Sequence, residues 1–304
     1  YIGGQHNNSP NYYRSTNPDD ITSWEFKGND LANGGIGGFK ITYQHFFRSN
    51  NGTLFCAYRS NLVDEWVRGA RSVQMGRYNT TTEKWEMLGG LNYCIKDYDC
   101  IDHCGSDLNM NAIVWDDSGS GSGKLEGSCD ECTGYNHYQG YKFKAVFDDN
   151  NVLHATWNVA KNMYTSQNPA EYHSHVMYAY SPDEGNTWYR AGGQQITKLP
   201  MTCETGDTDQ DATIVYKRVP DGYPNSCYTP FNASQQTMGT QGHIVLDNSG
   251  IPIIKQYVIM DDATYYFKLN GTSFVDITEN FVLQNKHFFS NQNDVMFDVK
   301  GPEL

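Results

Sequence analysis

The chain has 304 residues, 38% of them hydrophobic, and a formal net charge of −13, so it can bury a sizeable core but is too acidic for a general nucleic-acid binder. Mean hydropathy is −0.65, and no apolar run reaches the roughly 18 residues that a membrane-spanning helix needs. An aromatic share of 14%, with 22 Tyr and 29 Gly, predicts a strand-rich protein with many turns.

The chain opens on GGQHNNSPNYYRSTNP, residues 3–18, which gathers His6, Asn7, Tyr12, Tyr13 and Arg14 before any upstream element. YIGG and NYYRST…SWEF predict the last strands of a first sheet. FKITYQHFF and TLFCAYRS come next, joined by a turn containing Asn51-Gly52, a strong hairpin signal. ARSVQMGRY and TTTEKW complete a four-stranded antiparallel unit over residues 39–88. Residues 89–137 hold five of the eight cysteines and the run DSGSGSG, which predicts a disulfide-pinned, Cys-rich insertion on one rim. A second unit over 141–193 reads YKFKAVFDD, VLHATWNVA, HVMYAYSPD and TWYRAGG. A third over 241–277 reads QGHIVLDNSGIPIIKQYV and TYYFKLNGTSFVDI. Repeated four-stranded units without helices predict an all-β fold. The expectation is a single β-propeller domain over 1–304, of roughly five to seven blades, with truncation at both ends or a smaller ring left open.

The even cysteine set is Cys56, Cys94, Cys100, Cys104, Cys129, Cys132, Cys203 and Cys227. Five glycosylation sequons accompany it, at Asn7, Asn51, Asn79, Asn232 and Asn270. Together they predict a secreted, extracellular, disulfide-bonded glycoprotein. A zinc knot of Cys94, Cys100, His103, Cys104, Cys129 and Cys132 is the rival, and its spacing fits no standard finger. Lys40, Arg48, Arg59, Arg68, Arg71 and Arg77 face only Asp64 and Glu65 in the sequence around them, so a local basic patch on an acidic chain is expected.

SPDEGNTW, Ser181 to Trp188, has the form S-x-D-x-G-x-T-W. It resembles the Asp box of BNR-repeat β-propellers. There, Asp and Thr satisfy the backbone of a tight turn, Gly supplies its special angle and Trp packs between blades. HNNSPNYYRSTNPDDITSW, ITYQHFFRSNNGTLFCAYRS and LHATWNVA…HSHVMYAYSPDEGNTW are similar to three further patterns of the group that includes ulvan lyases and related polysaccharide lyases. That resemblance implies cleavage of an anionic, uronate-containing polysaccharide, sulfated or not, by β-elimination. A base takes the C5 proton, a cation neutralises the carboxylate and an acid protonates the leaving oxygen. It also implies the residues: Tyr43 and Arg59 across one hairpin, and His6 before YYRS. Asn7, Arg14 and His45 are the implied substrate-binding residues. The family carries a further histidine upstream of His6, where this sequence has no residues, and Gln44 stands where it prefers Pro.

Each of these residues also has a plainer reading. His6 reads as an exposed terminal histidine, Tyr43 as a packing tyrosine, Arg59 as a surface ion-pair partner of Asp64 or Glu65, and Arg14 as structural. His154, His173 and His175 read as hydrogen-bonded strand histidines rather than metal ligands. Tyr12, Tyr13, Tyr58 and Trp66 read as core residues or sugar platforms. The chemistry calls for no cofactor; a structural Ca or Zn ion stays open. The expected partner is an anionic polysaccharide, with self-assembly open. The alternative is a non-catalytic glycan-binding or structural propeller that has lost its base. A sialidase-type hydrolase is disfavoured, because its arginine triad and Tyr/Glu pair cannot be assembled here.

Overall fold

The structure, a computed structural model, describes residues 2–3, 11–36, 41–61, 71–89, 95–96, 102–103, 137–165, 168–199, 201, 203, 208–218, 238 and 242–279. Helix among them is confined to a 3-10 turn at Leu31–Asn33 and to residues 278–279. No helix among them is long and apolar enough to cross a membrane.

Antiparallel sheets carry the fold. The first holds β1 (Ile2–Gly3), β2 (Asn11–Ser15) and β3 (Trp24–Phe26). The second holds β4 (Thr42–Arg48), β5 (Leu54–Asn61), β6 (Arg71–Asn79) and β7 (Lys84–Leu88). A two-stranded ribbon pairs β8 (Ile95–Lys96) with β9 (Asp102–His103). The third sheet runs β10 (His137–Phe147), β11 (Leu153–Thr165), β12 (Asn168–Ser181), β13 (Trp188–Tyr189) and β14 (Gln195–Ile196), with β15 (Thr213–Lys217) also on β12. The last holds β16 (Gly242–Leu246), β17 (Pro252–Val258), β18 (Ala263–Asn270) and β19 (Ser273–Asp276). The units expected at 39–88 and 241–277 correspond to the second and last sheets. The unit expected at 141–193 is larger, with six strands. Its β12 is 14 residues long, so Tyr180 pairs with β13 while His175–Tyr178 pair with β15. The expected insertion at 89–137 lies almost wholly outside the described residues.

Side-chain alternation sets how the sheets stack. On β5, Phe55 and Ala57 turn toward the third sheet and join Trp157, Met177, Ala179 and Trp188 in one core. Cys56 and Tyr58 turn the other way and pack with Tyr12, Ile36 and Trp85. On β12, Met177 and Ala179 serve the first of these cores, while Val176 and Tyr178 meet Ile244 and Ile254 of the last sheet. Sheets therefore lie face to face in series, and strands buried on both faces lose the polar–apolar alternation of a half-exposed strand. This corrects the disulfide expectation for Cys56. Its thiol is free, fully buried in an apolar cluster, and pushed up in pKa by that burial. Cys203 is also buried; Cys94, Cys100, Cys104, Cys129, Cys132 and Cys227 lie outside the described residues.

One five-residue turn recurs. Ser49–Thr53, Asp148–Val152 and Asp247–Ile251 each close with the first N–H donating to the fifth carbonyl, at 2.9–3.0 Å. In each, the fourth N–H donates to the first carbonyl, and the fourth residue has positive φ: Gly52 at 93°, Asn151 at 62°, Gly250 at 75°. The Asp148 and Asp247 carboxylates accept from the third and fifth N–H groups. SNNGT, DDNNV and DNSGI thus encode one hairpin, a tight turn followed by a left-handed residue.

The Asp box is built as its sequence implies. Asp183 accepts from the Thr187 N–H at 2.7 Å and the Thr187 hydroxyl at 2.8 Å, and the Trp188 indole donates to the Gly185 carbonyl at 3.1 Å. Trp188 is 0% exposed, in the core shared with Met75 and Leu88 of the second sheet. Gly185 has φ 90°, and a Cβ there would lie 2.5 Å from the Met75 methyl and 3.1 Å from Leu88 Cδ1. Gly185→Ala should cost more than about 1 kcal/mol through backbone strain and this contact. Burial raises the Asp183 carboxyl, but hydrogen bonds from Thr187 and Ser181 outweigh it and hold its pKa below the ordinary value. That stability is present above the unfolded pKa of about 3.9 and is lost as pH falls through the lower folded value. Asp183→Ala should flatten this acid limb and lower stability by about 1–2 kcal/mol in urea unfolding at neutral pH.

Candidate functional site

Strand alternation continues from Phe55 and Ala57 to Arg59, which therefore points at the third sheet. Its side chain is 2% exposed, among the most buried large side chains of the described residues. Burying a guanidinium requires compensation. Its Nε donates to the Thr42 hydroxyl at 2.9 Å, directly across the β4–β5 ladder. Its central carbon sits 4.8 Å from the Tyr43 ring centroid and 4.3 Å from that of Tyr141. A cation over two aromatic faces is stabilised by about 0.5–2 kcal/mol per ring. The two phenols hydrogen-bond to each other at 2.6 Å.

Two β-bulges bring these rings together. On β4 the register slips between Thr42 and His45, and on β10 between Tyr141 and Lys144. Each bulge holds a non-glycine residue in the left-handed region, Tyr43 at φ 57° and Lys142 at φ 47°. Such positions cost about 1–3 kcal/mol each and persist where surrounding contacts enforce them. The Lys142 ammonium lies 5.3 Å from the Tyr43 ring centroid. His173, across from Ala160 on β11, sets its ring edge-on to Tyr141 at 4.4 Å.

Electrostatics follow from burial. Desolvation, then the Arg59 and Lys142 charges, lower the His173 pKa to about 3. Desolvation and the Lys144 charge lower that of His45 to about 4, against a hydrogen bond to the Ala145 carbonyl at 3.1 Å. Burial, with the Lys144 charge, also lowers the Lys142 pKa. At neutral pH the imidazoles of His173 and His45 are therefore neutral.

Of the residues expected from the sequence, Tyr43 and Arg59 converge, and His45 lies two positions further along the same strand. The plainer reading of Arg59 as a surface ion-pair residue is corrected by its burial. Arg14 is placed elsewhere, on the Tyr78 hydroxyl and on Glu83 at 3.0 Å. Of the expected basic patch, Arg77 pairs with Glu86 at 3.1 Å, and Lys40 and Arg68 lie outside the described residues. His6 and Asn7 lie outside the described residues, as does Asn232. Asn51 and Asn79 hydrogen-bond through Nδ2 to Glu184 and Glu86, at 2.7 and 2.6 Å, and Asn270 is exposed on the β18–β19 hairpin. Tyr141, Lys142 and His173 were not singled out as site residues from sequence. The available signal was YKFK, which sets lysines on a strand whose other positions are buried. No group of three or more His, Cys, Asp or Glu among the described residues is placed to hold a metal ion.

Histidines held neutral below their unfolded pKa of about 6.5 make stability pH-dependent, because the unfolded chain takes up those protons first. Their contribution is full above about 6.5 and is lost as pH falls toward 4, with His173 continuing toward about 3. Thermal melts should show Tm falling over that window, and His173→Gln should flatten its lower part.

The model of the BNR repeat-containing family matches residues 1–281. No curated protein matches. Two solved structures of an ulvan lyase, a polysaccharide lyase, are similar in fold, one of them bound to -[GlcA(1-4)Rha3S]-. Identity is 13% and 14% and the TM-score 0.54 in both, over 90% of this chain and 50% of theirs. The chain thus spans half the length of the solved structures whose fold it shares. With the Asp box built as its sequence implies and the family model covering nearly all of the sequence, the chain belongs to the BNR repeat-containing family.

Proposed function

We propose that the chain is part of a carbohydrate-active β-propeller, a secreted polysaccharide lyase that cleaves a uronate-containing polymer by β-elimination at the Tyr43–Arg59 site. The observation that carries this reading is the convergence of Tyr43, Tyr141, Arg59, Lys142 and His173 from two sheets at paired bulges. Elimination needs positive charge near the uronate carboxylate and a proton donor at the glycosidic oxygen. Lys142 is half-buried at the edge of the cluster and is positioned to meet the carboxylate. Arg59 lies behind the two tyrosines and acts through its field, favouring negative charge as it develops on the phenols and on the carboxylate. Base removal of the C5 proton leaves its electron pair to form the C4–C5 double bond, and the C4–O bond breaks. Tyr43 protonates the departing oxygen and draws a proton in turn through its hydrogen bond to Tyr141. His6 is the base that the family resemblance assigns.

The ulvan lyase of the same fold holds -[GlcA(1-4)Rha3S]-, so a sulfated glucuronate–rhamnose polymer is the first substrate to test. Incubated with the full-length protein, it should yield the ultraviolet absorbance of unsaturated uronate. Tyr43→Phe should lower kcat by about 10²-fold or more, with polymer affinity within about twofold. Arg59→Lys keeps the charge but loses the planar stacking and the Nε donor to Thr42, so set beside Arg59→Ala it separates the geometry of the guanidinium from its charge. Binding without unsaturated product by the wild type, across uronate polymers, replaces this reading with a non-catalytic glycan-binding propeller.

A further inference from the structure

We propose that Asn270, on the β18–β19 hairpin, is a site of spontaneous chemical modification: in the folded protein its side-chain amide is lost as ammonia through a succinimide, leaving aspartate and isoaspartate. This reactivity is independent of the function proposed above.

The reaction joins two chain neighbours. The Gly271 main-chain nitrogen gives its proton to base and attacks Cγ of Asn270. A C–N bond forms, the Cγ–Nδ2 bond breaks, and ammonia leaves with a proton returned by solvent. Water then opens the five-membered ring at either carbonyl. One opening restores the main chain with an aspartate; the other routes the main chain through the former side chain as isoaspartate. Water is the only co-reactant, and nothing is oxidised or reduced. A following glycine favours the step because no side chain shields its nitrogen.

The sequence holds three Asn-Gly pairs, at 33–34, 51–52 and 270–271, and the fold treats them differently. The Gly34 N–H donates to the Leu31 carbonyl at 3.2 Å, Gly34 is buried, and Asn33 Nδ2 donates to the Asp30 carboxylate. The Gly52 N–H donates to the Ser49 carbonyl at 3.0 Å. Asn51 Oδ1 accepts from the Ser49 hydroxyl, from the Thr53 N–H at 3.2 Å and from the Thr53 hydroxyl at 3.0 Å, while its Nδ2 donates to Glu184 at 2.7 Å. In both pairs the attacking nitrogen and the amide it must reach are tied to other groups, so reaction waits on local opening.

None of these ties exists at the third pair. The Asn270 side chain and the Gly271 N–H make no hydrogen bond, and both residues are exposed. A Cβ on Gly271 would meet nothing within 4 Å, so the nitrogen is open to base and to Cγ. Gly271, at φ 64°, takes the first of the two positions between the paired residues Asn270 and Ser273, the glycine place of a type II′ hairpin. The same ladder carries Phe274, whose ring stands edge-on to Tyr178 at 4.9 Å. Aspartate at 270 keeps this ladder and adds a negative charge. Isoaspartate adds a main-chain methylene at the closing pair and breaks its register. Either product leaves the Asn270-Gly271-Thr272 sequon without its acceptor amide.

The test is peptide mapping by mass spectrometry of the full-length protein, made in a bacterial host so that its sequons are bare and then aged in mildly alkaline buffer. Conversion of amide to acid is followed at all three pairs, and isoaspartate is identified by enzymatic carboxyl methylation. Asn270 should convert at least about tenfold faster than Asn33 and Asn51, since each of those must first break two or more hydrogen bonds. In urea, where the ties are lost, the three rates should converge. Conversion at Asn270 no faster than at the other two in the folded protein overturns the proposal. So does a difference that persists undiminished in urea, because the local sequence and not the fold would then set the rates.

Discussion

A guanidinium with 2% exposure is the constraint around which the site is organised. A charge in that position is tolerated only where partners replace its water, and Arg59 draws them from three places in the sequence. Thr42 comes from the neighbouring strand, Tyr43 from the bulge beside it, and Tyr141 from a different sheet. The last contact joins the second and third sheets at one end of an otherwise apolar interface. Phe55, Ala57 and Trp157 fill the remainder of that interface without polar atoms that need partners beyond the Trp157 indole. Stability and the proposed chemistry therefore meet at one residue, and changes to Arg59 should affect both.

The bulges make that meeting geometrically possible. A regular β4 would carry Tyr43 on the opposite face from its neighbours at Thr42 and Gln44, in strict alternation. The extra residue breaks the alternation and re-aims the ring over Arg59. The same device on β10 turns Tyr141 and Lys142 to the same place. Strain in two left-handed side-chain-bearing residues is matched by the aromatic, cationic and phenol–phenol contacts they make. A polar tie lies behind them, where Asn158, the partner of Tyr141 in the ladder, donates to Gln256 of the last sheet at 2.9 Å. Both of those amides are fully buried, so the third and last sheets are also held in a fixed relation beneath the site.

Much of the scaffold is legible in the sequence for local reasons. SPDEGNTW specifies its turn through hydrogen bonds among residues at most four apart, and Asn51-Gly52 marks a hairpin because Gly takes the left-handed position without strain. The site is legible only in half. Tyr43 and Arg59 lie on one hairpin, so a local pattern can couple them, and the family resemblance supplied their roles. Tyr141 is 98 residues from Tyr43, and nothing in YKFKAVF announces which neighbouring sheet it will face. A bulge leaves no composition mark when its extra residue is Tyr or Lys rather than Gly. The fate of Cys56 was misread for a related reason: counting cysteines says nothing of which strand face each occupies, and position 56 faces an apolar layer.

The turn that recurs at 49–53, 148–152 and 247–251 bears on how the chain reaches this state. Each copy closes a hairpin whose first contacts span only a few residues, so it loses little loop entropy and forms on a microsecond scale. Three nuclei can thus arise independently along one chain, each already fixing its own strand register. The contacts between Arg59 and Tyr141, or between Asn158 and Gln256, join preformed hairpins and come late. Substitutions in a turn should therefore slow refolding, whereas loss of these inter-sheet ties should chiefly speed unfolding.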